Sequence, residues 1–256
     1  MIRHPLNYMQ FTVKSFTPEN IKIPALMLFM LLFSSTAVKS QSSYTKDQLI
    51  GKGTPMLFGE GKLQKKAFEA FEKMKAAAAK EGYKIKVVSG YRNFSRQKAI
   101  FERKYKKYTA QGMGSMPAIK KIIEYSTIPG TSRHHWGTDI DIIDDNATYS
   151  GDVLVPEKFH GNGPFCKLRE WLEKHANDFG FYIVYTANKD RKGFKYEPWH
   201  YTYAPISIPM LKAYREKINL KEILTQEKLL GASSFTDEFI EQYYKENILD
   251  INPVLK

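Results

Sequence analysis

Between residues 62 and 81, Leu63, Ala67, Phe71, Met74 and Ala78 recur at spacings of three and four. That period puts them on one face of an α-helix, and Gly82 supplies a stop. "YKIKVVSGY" changes the period. Ile85 and Val87 alternate with lysines, which predicts a strand ending at Gly90. A second helix is expected from Ser95 to about Tyr108, very basic on one side, and Gly112 to Ser115 breaks it. Pro117 to Ser126 reads as a short helix on Ile119, Ile122 and Ile123, and "IPGTS" at 128–132 as a turn. From Thr138 to Ile143 a strand is expected. Thr138, Ile140 and Ile142 share one of its faces, and Asp139, Asp141 and Ile143 the other. A polar loop fills 144–163. A helix over 164–177 carries Leu168, Trp171, Leu172 and His175 in phase and stops at Gly180. "FYIVYT" and the region of "WHYTY" predict the last strands, with "ANKDRKG" looping between them.

The flanks differ from this middle. Residues 41–61 hold Gly51, Gly53, Pro55, Gly59 and Gly61 and predict irregular chain. Beyond Pro205 the chain reads as helical and charged. Ser234 with Asp237 three residues later resembles a capping box, and Phe239, Ile240, Tyr243 and Ile248 give that helix a face to dock. The order of elements predicts an α+β fold: a mostly antiparallel central sheet flanked by helices, with a helical C-terminal extension over 205–256.

The N-terminus sets the compartment. Residues 23–36, "IPALMLFMLLFSST", are apolar, Arg3, Lys14 and Lys22 precede them, and small residues follow in "STAVKSQSS". This is the layout of a secretory signal peptide over residues 1–40, cut after Ser40 or near Ala37. A secreted or periplasmic location follows. The apolar run is short of the roughly 20 residues a membrane span needs, so attachment to a membrane requires this segment to stay uncleaved.

Composition adds two limits. The net charge of +12 favours an anionic partner, whether nucleic acid, anionic lipid or a carboxylate-rich polymer such as a cell wall. With Cys166 as the single cysteine, an intrachain disulfide is excluded, and its helix-like surroundings suit a buried inert thiol.

The candidate chemistry lies in "SRHHWGTDID" at 132–141 and in "EPWH" at 197–200. His134 and Asp141 flank a turn and a strand entry, His200 closes the second stretch, and Glu197 stands three residues before it. Two nitrogens, one oxygen and a spare carboxylate are what a zinc hydrolase requires. Taken singly, His160 and His175 read as surface or core residues and Asp144 and Asp145 as loop residues. Asp141 sits between two isoleucines, where a buried carboxylate needs a metal or a hydrogen-bond cluster.

"SRHHWGTDID" matches the pattern S-x-H-x-x-G-x-A-x-D, "EPWH" matches E-x-x-H, and "SGYRNFSRQ" matches an earlier S-x-Y/G-Y-R-S-x-x-x-Q element. Over about residues 60–204 the chain thereby resembles the LAS metallopeptidases, most closely the VanY-type D-alanyl-D-alanine carboxypeptidases. The resemblance implies a zinc peptidase domain over 41–204, with His134, Asp141 and His200 as ligands of Zn2+. It implies Glu197 as the general base that then hands its proton to the leaving amine, and Arg92 as the group that polarises the scissile carbonyl. Gln97 and Ser132 would hold substrate.

Three departures stand out. Asp139 replaces the family's alanine and would either hydrogen-bond a ligand histidine or compete for the metal. Asn93 replaces a common serine after Arg92, and Thr202 stands where many members carry an arginine. Tyr91, Trp136, Tyr196, Trp199 and Tyr201 crowd the motifs, most of them as core, one or two as cleft walls. His135 has no assigned role beyond that of a neighbour of the cleft.

The expected function is a secreted, monomeric zinc peptidase that removes terminal D-alanine from peptidoglycan stem peptides. An L,D-carboxypeptidase or a peptidoglycan endopeptidase would use the same chemistry. A non-catalytic, zinc-stabilised wall-binding module would need neither Glu197 nor Arg92. A nucleic-acid binder would explain the charge but neither the N-terminal segment nor the ligand set.

Overall fold

The computed structural model describes residues 44–256, so the 1–40 segment lies outside the described residues. Among the described residues no helix is long and apolar enough to cross a membrane.

The chain begins with a single helical turn, α1 (Lys46–Leu49). Irregular chain was expected here. Instead the Thr45 hydroxyl accepts from the Gln48 amide at 3.2 Å and the Thr45 amide donates to Gln48 Oε1 at 2.9 Å, a complete capping box. α2 (Lys65–Lys80) buries Ala67, Phe71, Met74 and Ala78, the stripe its spacing announces. β1 (Ile85–Ser89) follows, then α3 (Phe94–Ala110). Asn93 caps α3, its side-chain oxygen accepting from the Arg96 amide at 2.8 Å, so it does the work of the serine it replaces. α4 (Ser115–Ile122) leads through the 126–132 loop to a 3₁₀ turn at Arg133–Trp136 and into β2 (Asp139–Asp144).

After the polar loop come α5 (Cys166–His175), β3 (Phe181–Ile183) and β4 (His200–Tyr203). The C-terminal part holds α6 (Ala204–Lys217), α7 (Leu220–Gln226) and α8 (Asp237–Tyr243). The N-cap of α8 is Thr236, not Ser234. The Thr236 hydroxyl accepts from the Phe239 amide at 3.1 Å, whereas Ser234 sits in a separate 3₁₀ turn and donates to Ser115 Oγ at 2.6 Å.

The sheet is antiparallel throughout, in the order β1-β2-β4-β3. Alternation splits β2 as expected. Ile140 and Ile142 pack with Phe71, Met74, Leu168 and Trp171 beneath α2 and α5, while Asp139 and Asp141 face the other way. A second, larger cluster joins Leu49, Phe101, Ile119 and Trp136 to Tyr214, Leu224, Ile240 and Tyr243. The C-terminal helices are therefore built into the core. Burying each such side chain stabilises by about 1.5–3 kcal/mol relative to leaving it exposed.

Candidate metal centre

Strand register assembles the site. β2 and β4 pair so that Asp141 faces His200 and Asp139 faces Thr202. His134 arrives from the 3₁₀ turn, which ends at Gly137 with φ of 64°. A Cβ there would lie 2.7 Å from a Leu57 methyl, so a larger residue would strain the turn that hands His134 to the strand and push that side chain aside. His134 Nε2 lies 3.3 Å from Asp141 Oδ2, and His200 Nδ1 lies 3.6 Å from Asp141 Oδ1. One ligand atom from each of the three falls within 4.8 Å of the others, and all three residues are buried.

Zinc fits this trio. Asp141 Oδ1 is buried with no hydrogen-bond partner, a cost of about 1–3 kcal/mol that a cation would remove. Two imidazoles and a carboxylate are a catalytic zinc donor set. Burial pulls His134 below its ordinary pKa and keeps it neutral, the ligating form. Burial would raise Asp141, but His134, His200 and Arg92 outweigh it and hold the carboxyl below its usual range.

Asp139 is not a rival ligand. It is fully buried, and four donors fill its oxygens. Arg133 Nε and His200 Nε2 each lie 3.0 Å from Oδ1. The hydroxyls of Thr138 and Thr202 donate to Oδ2 at 2.5 and 2.8 Å. Burial would raise this carboxyl, yet Arg133 and His200 overcome it and hold it far down. An ionised carboxylate only accepts, so His200 Nε2 carries a proton and Nδ1 is left to face the metal position. Burial would lower His200 as well, but Asp139 and Glu197 on its two nitrogens push it up to about 10. A metal held by His200 would have to displace the Nδ1 proton shared with Glu197.

Arg133 completes the cluster. Its Nη2 donates to Thr202 at 3.1 Å, and its guanidinium lies 4.7 Å from the Trp136 ring. The aspartate at 139 and the threonine at 202 are thus two ends of one arrangement around a buried arginine.

Glu197 is buried with its Oε2 3.0 Å from His200 Nδ1. Burial raises its pKa, against the opposing pull of His200. Arg92 enters the same cleft. Its Nη1 donates to Gln97 Oε1 at 2.7 Å and its Nη2 to Ser89 Oγ at 2.8 Å, while its amide donates to the His134 carbonyl at 3.0 Å. Gln97 does not line the cleft. It is fully buried, and its amide nitrogen donates to the Thr127 carbonyl at 2.7 Å, so it braces Arg92 and the 126–132 loop. Ser132 does line the cleft, with a buried hydroxyl that has no protein partner.

His135 is a strut. Its Nδ1 lies 2.5 Å from the Arg92 carbonyl, and its Nε2 accepts from the Gly130 amide at 3.2 Å. Burial brings its pKa down to about 3, so the ring is neutral and its Nδ1–H donates to that carbonyl. The other candidates lie elsewhere. His160 pairs with Tyr196 at 3.2 Å, and His175 lies 3.7 Å from Asp178. Asp144 ends β2 and accepts from the Lys84 and Asn146 amides, and Asp145 pairs with Lys84 and Lys86. Cys166 is a free buried thiol. The cleft has a volume of about 330 Å³, and Tyr185, Phe194 and Trp199 wall it. Arg96, Arg103, Lys104 and Asp152 also line it. Sequence reasoning missed these four, although the one-sided basic pattern of α3 was the available signal for the first three.

A buried trio of zinc-ligand type, with a glutamate and an arginine in the same cleft, has the make-up of a metallopeptidase centre. The family model for VanY, D-alanyl-D-alanine carboxypeptidase, matches residues 60–206, more than half of the sequence, and the chain belongs to that family. A D-alanyl-D-alanine carboxypeptidase of Enterococcus faecalis is 31% identical over 153 residues, covering 59% of this chain and 52% of that one. The chain spans about half the length of the first curated relatives it matches. Among solved structures, VanYB in complex with D-alanine-D-alanine is 28% identical, with a TM-score of 0.47 over 65% of this chain and 84% of that one. A glutamate-to-alanine mutant of the vancomycin-resistance D,D-pentapeptidase VanY in complex with Zn(II) is also 28% identical. Its TM-score is 0.47 over 66% of this chain and 87% of that one.

Proposed function

We propose that the protein is a zinc carboxypeptidase that removes terminal D-alanine from peptidoglycan stem peptides outside the cytoplasm. The observation that carries this reading is the convergence of His134, Asp141 and His200 with Glu197 and Arg92 in one cleft. Family membership and the named activity of the E. faecalis relative supply the substrate class.

When bound, zinc supplies a Lewis acid that polarises the scissile carbonyl and makes water acidic enough to react at neutral pH. Glu197 takes the proton of the attacking water on Oε2 and delivers it to the leaving amine nitrogen. Its burial raises its proton affinity toward the range a base–acid pair needs. Arg92, locked by Gln97 and Ser89, aims a fixed positive charge at the carbonyl oxygen. A preorganised donor of this kind is worth about 3 kcal/mol of barrier. The free Ser132 hydroxyl offers the substrate a hydrogen bond.

The test is mass spectrometry of defined muropeptides ending in D-alanyl-D-alanine. Zinc-loaded protein should shorten them by one alanine, and a chelator should stop this until zinc is returned. Intact muropeptides after incubation with zinc-loaded protein would sink the proposal, and other product masses would identify an L,D- or endopeptidase. Glu197→Gln should lower kcat by about 10²–10⁴-fold while the protein still binds one zinc. Export rests on the apolar segment at 23–36. Protein recovered from the producing cell's exterior should begin near Gln41 on N-terminal sequencing, and recovery of the full-length chain from the cytoplasm alone would exclude it.

A further inference from the structure

One wall of the cleft is a helix face that the catalytic assignment does not use. Arg96, Ile100, Arg103 and Lys104 of α3 all line it, at the spacing of one helical stripe. Arg96 and Arg103 stand at the open rim and Lys104 is half-buried. Among the described residues none of these three cations has an ion pair or a side-chain hydrogen bond, whereas Lys98 on another face of the same helix is paired with Glu102 and with the Glu227 carbonyl. Asp141, Asp152 and Glu197 line the same cleft. Burial, Arg92 and Arg103 pull the Lys104 ammonium below the ordinary lysine range, and the opposing pull of Glu197 and Asp152 does not offset them. Cations crowded on a cleft wall without partners attract an anionic ligand.

Length indicates which part of the ligand they meet. From Arg96 to Lys104 the helix rises about 12 Å, the span of three to four extended residues at about 3.3 Å each. A carboxypeptidase keeps only one residue beyond the scissile bond, so most of this wall runs beside the upstream part of the peptide. We propose that Arg96, Arg103 and Lys104 form a carboxylate-reading subsite that selects peptides with acidic groups in the residues just before the terminal pair. The proposal rests on reading the cleft as a carboxypeptidase site.

Two synthetic peptides ending in D-alanyl-D-alanine test it, one with Glu and one with Gln at both preceding positions. Wild-type, zinc-loaded protein should favour the Glu peptide by about tenfold in kcat/KM, chiefly through KM. In the Arg103→Gln/Lys104→Gln double variant the ratio should fall below about twofold while the Gln peptide is still cleaved. Lys106→Gln, on the exposed face of α3, should keep the tenfold ratio. Equal rates for the two peptides in the wild type, or a preference that survives the double variant, would overturn the subsite. If neither peptide is cleaved, the carboxypeptidase reading fails. Calorimetric binding of the same peptides to the same zinc-loaded proteins then still decides the subsite, by the presence or absence of a preference for the Glu peptide that the double variant loses.

Discussion

Asp139 holds four donors on one buried carboxylate, two of them from the ion-pair partners Arg133 and His200. Replacing it by alanine strands a buried arginine and frees His200 to turn. Asp139→Ala should lower zinc affinity about 10–100-fold by chelator competition and lower stability by about 3–5 kcal/mol by urea unfolding. Adding Arg133→Met should restore much of the stability but not the affinity. The sequence made part of this visible. Alternation along β2 put Asp139 on the face of Asp141, and motif spacing marked His134, His200 and Glu197. The role of Arg133 was hidden, because a 3₁₀ turn has no readable period and the cross-strand register that brings Thr202 beside Asp139 is a long-range property. The packing of Gln97 behind Arg92 was hidden for a related reason. A motif position shows that a residue matters to the site, but not whether it faces substrate or stands behind the residue that does.

Elements built on a repeating apolar stripe were legible: α2, α3 and α5 lie close to where the spacing puts them. Those that depend on one capping side chain were not. α1 is a single turn held by Thr45 and Gln48 among glycines, and the N-cap of α8 lies two residues past the serine that pattern favoured. The ladder of β1 and β2 ends in a similar local device. Asp145 receives Lys84 Nζ and Lys86 Nζ, both at 2.8 Å. The Lys84 hydrogen bond, followed by that of Lys86, holds its carboxyl down at about 2. An unfolded aspartate titrates near ~3.9, so the clamp favours the folded chain above that pH and loses its contribution as pH falls through about 2. Carboxyl NMR titration should place the Asp145 midpoint near 2. In Lys84→Met/Lys86→Met it should return toward ~3.9, and an unchanged midpoint would show that the lysines do not set it.

Across the whole molecule, the segment after Pro205 reads in the sequence as a charged helical extension with an apolar face. What that face meets could not be read, since Leu49, Phe101 and Trp136 come from far earlier in the chain. Two tyrosines carry the connection to the cleft. Tyr214 donates to the Gly130 carbonyl at 2.9 Å. The Tyr243 hydroxyl accepts from the Ile128 amide at 3.1 Å and lies 2.8 Å from Thr131 Oγ1. The loop they hold supplies Ser126, Thr127 and Ser132 to the cleft lining.

A loop slung from helices in this way exchanges its amide hydrogens on their schedule. In native-state hydrogen exchange the Ile128 amide should be as protected as the core of α8, although its own neighbours form no regular ladder. Tyr243→Phe removes one oxygen and leaves that amide buried without an acceptor, a change of about 1–3 kcal/mol. Exchange at Ile128 should quicken about 5–150-fold while α2 keeps its protection. Equal acceleration in both places would mean that the phenol stabilises the molecule at large. Selective acceleration would mean that the looseness of the cleft's rim is set from behind, by a segment that never meets the substrate.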